Sequence, residues 1–132
     1  MTISALLRPG LFLLLFSSAV VADEDLGKSL FLVDESSSVV AVNAETGQFF
    51  ELELSAKERV RDRLIANRVA ILVTNQRFAG VGAYPSGWSS LRRKAGEKIV
   101  SAEAVDYSAL IVTSDRILTF NGKTGAWSQR RR

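Results

Sequence analysis

Short apolar runs separated by polar turns fill the chain from residue 30 onward. In the last third, Ala109–Thr113 and Arg116–Phe120 are apolar runs on either side of Ser114-Asp115. A loop at Asn121–Gly125 then leads into Ala126–Arg130. Runs of this kind, bounded by Asn, Gly, Ser and Asp, are typical of antiparallel strands joined by tight turns. The pattern therefore predicts an all-β meander.

The same pattern occurs twice in the second half of the chain. Residues 56–93 align with residues 95–132 at a constant shift of 39 without a gap, and ten of the 38 pairs are identical. The identical pairs are Ala56/Ala95, Glu58/Glu97, Ala70/Ala109, Val73/Val112, Thr74/Thr113, Arg77/Arg116, Trp88/Trp127, Ser89/Ser128, Arg92/Arg131 and Arg93/Arg132. A fixed period near 40 residues indicates stacked supersecondary units.

A more divergent copy precedes these two. At twice the shift, Leu32, Asn43, Thr46 and Gly47 match Leu110, Asn121, Thr124 and Gly125. Its strands are expected at 30–33, 39–42 and 48–54, and residues 34–38 need a short insertion or deletion to stay in register. The sequence therefore predicts one domain of three repeats, at 23–55, 56–94 and 95–132.

A fourth segment precedes the meander in the second and third copies, at 58–66 and 97–105. Ser55 and Glu58 have the spacing of a helix capping box, which would favour a helix for the earlier segment. The later segment is more typical of a strand. Because the two copies align without a gap, we expect a strand in both, so that the four-stranded repeat is complete in these two copies. The first copy is expected to have little or no such segment after cleavage, because its counterpart would start at residue 17, inside the signal.

The inner strands are apolar on both sides, as in Ala70–Val73, Leu110–Val112 and Val39–Val42. A strand of this kind is covered on both faces, as when a small sheet is stacked between two others. Four-stranded meanders of about 40 residues stacked in this way are the blades of a β-propeller. We therefore predict propeller-blade-like repeats. A β-trefoil, which also has three four-stranded repeats, is the alternative.

Two hairpins resemble those of quinoprotein-type β-propeller repeats, in which an Ala-x-Asp-Ala-x-Thr-Gly run is followed by a tryptophan. The matching runs are Ala-Val-Asn-Ala-Glu-Thr-Gly at Ala41–Gly47 and Thr-Phe-Asn-Gly-Lys-Thr-Gly at Thr119–Gly125. The family's Asp is Asn here, and Trp127 follows Gly125 by two residues. The resemblance implies a blade-shaped repeat. Nothing matches a quinone site, so it implies no activity.

Residues 1–22 have the pattern of an export signal. Arg8 is the only charge before Asp23, and Leu11–Phe16 is an apolar core. A cleavage site is expected after Ala22, with cleavage after Ala19 as the alternative. The apolar run is too short to span a bilayer of roughly 30 Å as a helix. We therefore expect an exported mature chain, 23–132, in the periplasm or outside the cell, with no membrane span after cleavage.

The chain contains neither histidine nor cysteine. This excludes a nucleophile with a histidine base and removes the usual ligands of zinc and most transition metals. No calcium-binding loop pattern is present either. We therefore expect a protein that is not an enzyme and that has no metal and no cofactor.

Charge is distributed unevenly along the chain. Residues 23–53 contain eight acids and one base, whereas residues 54–132 contain six acids and fifteen bases. Complementary charge steers association, so the acidic first repeat could dock on the basic last repeat of a neighbouring chain. We expect a homo-oligomer, either a dimer of three-bladed chains or a head-to-tail assembly. Nucleic acid is not an expected partner, because export argues against it.

The main functional prediction is therefore a binding or scaffold module that self-associates through its blade faces. The alternative is an oligomeric carbohydrate-binding lectin with equivalent sites formed by Arg77 with Trp88 and by Arg116 with Trp127. The structural interpretation of these residues is that the tryptophans cover the core of each unit. The arginines would then stack on them or bridge a carboxylate such as Asp115, while Glu97 and Glu103 would lie at the surface.

Overall fold

The computed structural model describes residues 28–84 and 87–132, and these form eleven strands in three antiparallel sheets. The strands are β1 (Leu30–Asp34), β2 (Ser38–Asn43), β3 (Phe49–Glu53), β4 (Val60–Ile65), β5 (Val69–Thr74), β6 (Arg77–Gly82), β7 (Ser89–Arg92), β8 (Ile99–Val105), β9 (Ser108–Thr113), β10 (Arg116–Asn121) and β11 (Ala126–Arg131). The export signal predicted at residues 1–22 lies outside the described residues.

Each sheet is a meander of consecutive strands. The sheet orders are β1-β2-β3, β4-β5-β6-β7 and β8-β9-β10-β11, and we call the three sheets the first, second and third blade. Each sheet is built from a single repeat, which is the arrangement of stacked propeller blades rather than that of a trefoil. The predicted all-β, blade-like fold is therefore confirmed. Within the part of the chain that is described, no helix is long and apolar enough to cross a membrane.

The segments before the two later meanders are strands, as predicted. β4 pairs with β5, and β8 pairs with β9. The spacing of Ser55 and Glu58 does produce one of the two bonds of a capping box, because the Ser55 N–H donates to the Glu58 carboxylate. The Glu58 N–H donates to the Ser55 backbone carbonyl rather than to its hydroxyl. These bonds close a turn that leads into β4. The spacing of Ser55 and Glu58 therefore marks a turn before a strand and not the start of a helix.

The first repeat keeps the period of 39 without a gap. Asp34 lies opposite Val39 in the first blade, just as Val73 lies opposite Phe78 in the second. Both partners are displaced by 39 residues, so the expected insertion or deletion within residues 34–38 was wrong. That stretch differs in residue type but has the same backbone register.

Asparagine and glycine residues close the β10–β11 hairpin. The side-chain oxygen of Asn121 accepts hydrogen bonds from the N–H groups of Lys123 and Thr124, at 2.8 and 3.3 Å. Gly125 follows with a φ of 73°, a left-handed conformation that glycine adopts without steric cost. The β2–β3 hairpin has the same construction around Asn43. The Asn-x-x-x-Gly pattern in the sequence therefore forms the hairpin turn in both places.

The core lies between the blades. Every residue of β5 is buried, because the first blade covers one face of the second blade and the third blade covers the other. Leu30 packs with Ala70 on one side, and Ile71 packs with Ile111 on the other. Small residues permit this close stacking: a Cβ atom on Gly82 would lie 2.0 Å from the carbonyl oxygen of Gly122 in the third blade.

Candidate functional site

A buried ion pair lies where the third blade meets the second. Arg116 Nε donates to Glu97 Oε2 at 2.8 Å, and Arg116 Nη2 donates to Glu97 Oε1 at 3.0 Å. The same Nη2 donates to the backbone carbonyl of Arg92, at the end of β7 in the second blade, at 2.8 Å. The two side chains are 4% and 0% exposed. Arg116 therefore forms a bidentate, charge-assisted ion pair with Glu97 of its own repeat. It reaches the preceding blade through the hydrogen bond to the Arg92 carbonyl.

The joint between the first and second blades repeats this geometry. Arg77 Nε and Nη2 lie 2.8 and 3.1 Å from the two carboxylate oxygens of Glu58, and Nη2 also donates to the carbonyl of Glu53. The arginines therefore bridge carboxylates as expected, but the expected partner Asp115 was wrong. The acid is a glutamate that precedes the blade's first strand.

Glu97 is buried, so the expectation that it lies at the surface was wrong; Glu103 is exposed, as predicted. Burial alone would raise the pKa of Glu97. Hydrogen bonds from Arg116, the Lys94 backbone N–H and the Thr113 hydroxyl outweigh burial and lower the pKa of Glu97 to about 2. Glu97 is therefore ionised at neutral pH, and the joint holds a true ion pair.

The two tryptophans also reach back to the preceding blade. Trp127 Nε1 donates to the Ser89 carbonyl at 2.9 Å, and Trp88 Nε1 donates to the Phe50 carbonyl at 2.9 Å. The Trp127 ring lies 5.0 Å from the ring of Phe120, centroid to centroid. Both tryptophans are therefore parts of the blade joints, as the structural interpretation of the sequence predicts.

An open cavity of about 500 Å³ remains at the first joint. It is lined by Glu53, Leu54, Ser55, Glu58, Gln76, Arg77, Ser90 and Arg92. At the second joint, Gln129 occupies the position of Ser90 and accepts a hydrogen bond from Arg116 Nη1 at 2.8 Å. Ser90 is shorter and lies 3.4 Å from Arg77 Nη1. The shorter side chain leaves the guanidinium of Arg77 partly exposed to the cavity.

The structure does not combine the predicted site residues into one pocket. Arg77 lines the cavity at the first joint, whereas Trp88 is not among the residues that line it. Trp88 packs instead against the buried apolar cluster between the first and second blades, which includes Leu30, Ala41 and Ala70. The proposed pairing of an arginine with an aromatic platform therefore lacks the platform at this cavity.

The face of the first blade that points away from the second blade is apolar. We call it the first end face and define it by Phe31, Val33, Val40, Val42 and Phe49. Phe31 and Val33 lie opposite Val42 and Val40 in the sheet, and Val42 lies opposite Phe49. Phe31, Val33 and Phe49 are 45%, 44% and 71% exposed. Three large apolar side chains therefore share one open surface.

The opposite end of the stack has a comparable surface. We call it the third end face and define it by Val105, Leu110, Val112, Ile117 and Thr119. Leu110 lies opposite Thr119 and Val112 opposite Ile117, so their side chains share a face of the third blade. A shallow cavity of about 380 Å³ lies over part of this face. The two ends of the stack therefore both expose apolar sheet surface.

Sequence analysis missed the glutamates and threonines of the blade joints. Thr74 and Thr113 each donate a hydroxyl hydrogen bond to the joint glutamate, at 2.7 and 2.6 Å. The available signal was the repeat itself, because both residue types recur at a shift of 39. Within the described ranges, no group of three or more acidic side chains could hold a metal ion.

Comparison with known proteins identifies no family for this chain. No protein-family model matches it, and no curated protein is a significant match. Among solved structures, it is similar to a chain of the S. cerevisiae complex of a Dbp5 variant with Nup159, a Gle1 variant, IP6 and ADP, with 14% identity and a TM-score of 0.41 over 80% of this chain. It is also similar to the N-terminal domain of Nup159, with 11% identity and a TM-score of 0.43 over 77% of this chain. This chain spans 31% and 27% of the length of those two chains.

Proposed function

We propose that this protein is a non-enzymatic scaffold module whose copies associate head to tail through the two end faces. The observation that carries the proposal is that both ends of the blade stack expose the surface that blades use to stack on one another. The contact joins the third end face of one copy to the first end face of the next.

The first end face has a buried counterpart within the same chain. At a shift of 39, Phe31 and Val33 correspond to Ala70 and Leu72, which the first blade covers completely. Val40 and Val42 correspond likewise to residues of β6 that are fully buried. The first blade therefore presents to solvent the face that the second blade presents to the first.

The third end face is the complementary surface. Leu110, Val112 and Ile117 correspond to Ile71, Val73 and Phe78, all of which the third blade buries. Contact between the two end faces would thus repeat, between chains, the packing that already exists within the chain. Because the two faces differ, the contact is heterologous and produces either a ring or a filament.

The distribution of charge favours the same orientation. Glu51 lies beside Val40 on the first end face, and Arg130 lies beside Ile117 on the third. Exposed charges of opposite sign steer association, and salt screens the attraction between them. The proposed contact should therefore form more readily at low ionic strength.

Light scattering coupled to size exclusion tests the proposal on the purified protein over a range of concentrations and salt. We expect species larger than the monomer that grow with concentration and diminish as salt is added. Phe31→Ser combined with Phe49→Ser, on one face, and Ile117→Ser, on the other, should each shift the protein toward monomer. The loss of apolar area is the physical reason.

Tyr84→Ser is the matched control, because Tyr84 is also exposed but lies on neither end face. A mixture of the two face variants should form a dimer, since each retains one intact face. A wild type that stays monomeric under all conditions would overturn the proposal. Persistent self-association of the Ile117→Ser variant alone would show that first end faces pair with each other instead.

We propose as a second candidate that the cavity at Arg77 binds an uncharged sugar. The cavity, the serine at position 90 and the partly exposed guanidinium favour this function, although an aromatic platform is absent from its lining. Titration of neutral oligosaccharides, followed through the fluorescence of the nearby Trp88, tests it. Ser90→Gln should abolish any response, because glutamine at the equivalent position of the second joint caps the arginine.

A further inference from the structure

A second cavity lies where the second blade passes into the third. Its volume is about 570 Å³, and four basic residues line it. We call Arg61, Arg92, Arg93 and Lys94 the linker cluster. The rest of the lining comes from Asn75, Gln76, Ala95, Gly96 and Glu97. The cavity is therefore concave, polar and rich in hydrogen-bond donors.

Arg93 is fixed in place without being neutralised. Its Nη1 donates to the Thr74 carbonyl and its Nη2 to the Glu97 carbonyl, both at 2.9 Å. Its guanidinium carbon lies 5.3 Å from the centre of the Phe78 ring. Neutral carbonyls and an aromatic ring orient the guanidinium but leave its positive charge uncompensated.

The linker cluster has no carboxylate partner in the part of the chain that is described. Ion pairs there involve the arginines at positions 63, 68, 77 and 116. Glu97, the one acid that lines the cavity, is already engaged with Arg116. Four basic residues therefore line one concavity without a carboxylate partner among the described residues, and their positive potential favours a bound anion.

The blade joint does not require these bases. At a shift of 39, Glu53, Leu54 and Ser55 stand where the second joint has Arg92, Arg93 and Lys94. The same turn forms in both places: the N–H of Ser55 donates to Glu58 at 3.1 Å, and the N–H of Lys94 donates to Glu97 at 2.9 Å. The same turn therefore forms at the second joint with basic residues and at the first joint without them.

We propose that the linker cluster binds a ligand that carries clustered phosphate or sulfate groups. Guanidinium groups donate paired hydrogen bonds to such oxyanions, and a lysine adds a mobile point charge. The amide groups of Asn75 and Gln76 supply neutral donors at the same cavity. No aromatic ring is among the residues that line it, so charge and hydrogen bonds carry the recognition.

Isothermal titration of the purified protein with inorganic tripolyphosphate and with a sulfated oligosaccharide tests the proposal. We expect binding to at least one probe at low salt, and weaker binding at about 0.15 M salt, where exposed charges are partly screened. Binding to one probe alone identifies the source of the anion. A neutral oligosaccharide of equal length should release no heat at this site.

Arg92→Glu combined with Lys94→Ser installs the two residues that the first joint has at these positions, Glu53 and Ser55. The same turn already accommodates both residue types. This variant should fold normally and bind the probe about tenfold more weakly or worse, as expected when charge-assisted contacts are lost. Lys28→Ser combined with Lys123→Glu changes the net charge equally at the opposite ends of the strands and should bind as wild type does. Absence of binding to both probes, or equal loss in the two variants, would overturn the proposal.

Discussion

At the scale of single residues, the joints between blades depend on ion pairs of unequal burial. Arg116 and Glu97 are almost fully enclosed, whereas the Arg77 side chain is 24% exposed. A buried carboxylate that loses its partner stays in a low-dielectric environment with an uncompensated charge. The two joints should therefore respond differently to the same substitution.

Replacing Arg116 with leucine should lower the free energy of unfolding by about 3 to 5 kcal/mol, because it strands the carboxylate of Glu97. Arg77→Leu should cost less, since water reaches the first joint through its cavity. Arg63→Ala breaks only the exposed pair with Asp34 and should cost about 1 kcal/mol or less. Urea unfolding measures all three. Equal losses for Arg116 and Arg63 would contradict this ranking.

The joint glutamates should also make the protein sensitive to acid. The pKa of Glu97 falls from about 4.5 in the unfolded chain to about 2 in the folded protein. The folded state therefore gains stability above the unfolded pKa, and it loses this gain, roughly 3 kcal/mol, as the pH falls from about 4.5 to about 2. Chemical unfolding across this range measures the slope. Glu97→Gln should be less stable at neutral pH and should show a shallower acid slope.

Sequence reasoning identified the joint arginines and tryptophans through the repeat but misplaced their partners. Arg116 could be chosen because its residue type recurs at a fixed shift. Glu97 recurs in the same way. Because acids in polar turns are usually exposed to solvent, its sequence context predicts a surface position. Its burial results from stacking of the neighbouring blade, which a local pattern does not encode.

At the scale of elements, close blade stacking depends on positions that lack a side chain. The second and third blades meet at Gly82, in β6, and Gly122, in the turn after β10, where a Cβ atom on either residue would come within 3 Å of another backbone. Gly80 allows the Phe120 ring of the third blade to lie directly over β6. Glycine in these strands therefore serves packing rather than a special backbone conformation.

Gly82→Ala should force the second and third blades apart and lower the free energy of unfolding by about 1 to 3 kcal/mol, the usual cost of overpacking. The new Cβ atom would otherwise overlap the backbone of Gly122. Gly47→Asn is the control, because Gly47 faces open space and asparagine tolerates its left-handed φ. Thermal unfolding compares them. An unchanged midpoint for Gly82→Ala would contradict the close contact between Gly82 and Gly122.

The strands themselves were largely predictable from the sequence, and for a physical reason. Apolar runs bounded by turn residues mark strands wherever the sheet is buried, and β5, buried throughout, is the clearest example. The weakest prediction concerned β4, where Val60 and Leu64 have helical spacing. It forms a strand because it pairs with β5. In the sequence, the gap-free alignment with the third repeat was the observation that indicated a strand.

At the scale of the whole molecule, the first blade lacks the polar contacts that the second and third blades make with the blade before them. The later blade of each internal joint contributes an arginine and a tryptophan that bind carbonyls of the earlier blade. The first blade has Ser38 and Phe49 at these positions. A contact between copies would therefore rest on apolar packing and charge, without the hydrogen bonds that fix the internal joints, and would be weaker than they are.

Phe49→Trp should strengthen the proposed head-to-tail contact. The new indole N–H would face the Ser128 carbonyl of the preceding copy, which corresponds to the Ser89 carbonyl that Trp127 binds within the chain. One added hydrogen bond contributes about 0.5 to 1.5 kcal/mol, so the dissociation constant of the assembly should fall roughly twofold to twelvefold. Sedimentation equilibrium measures the change. The gain should vanish when Ile117→Ser removes apolar surface from the third end face; a gain that survives this substitution would mean that the copies associate through another surface.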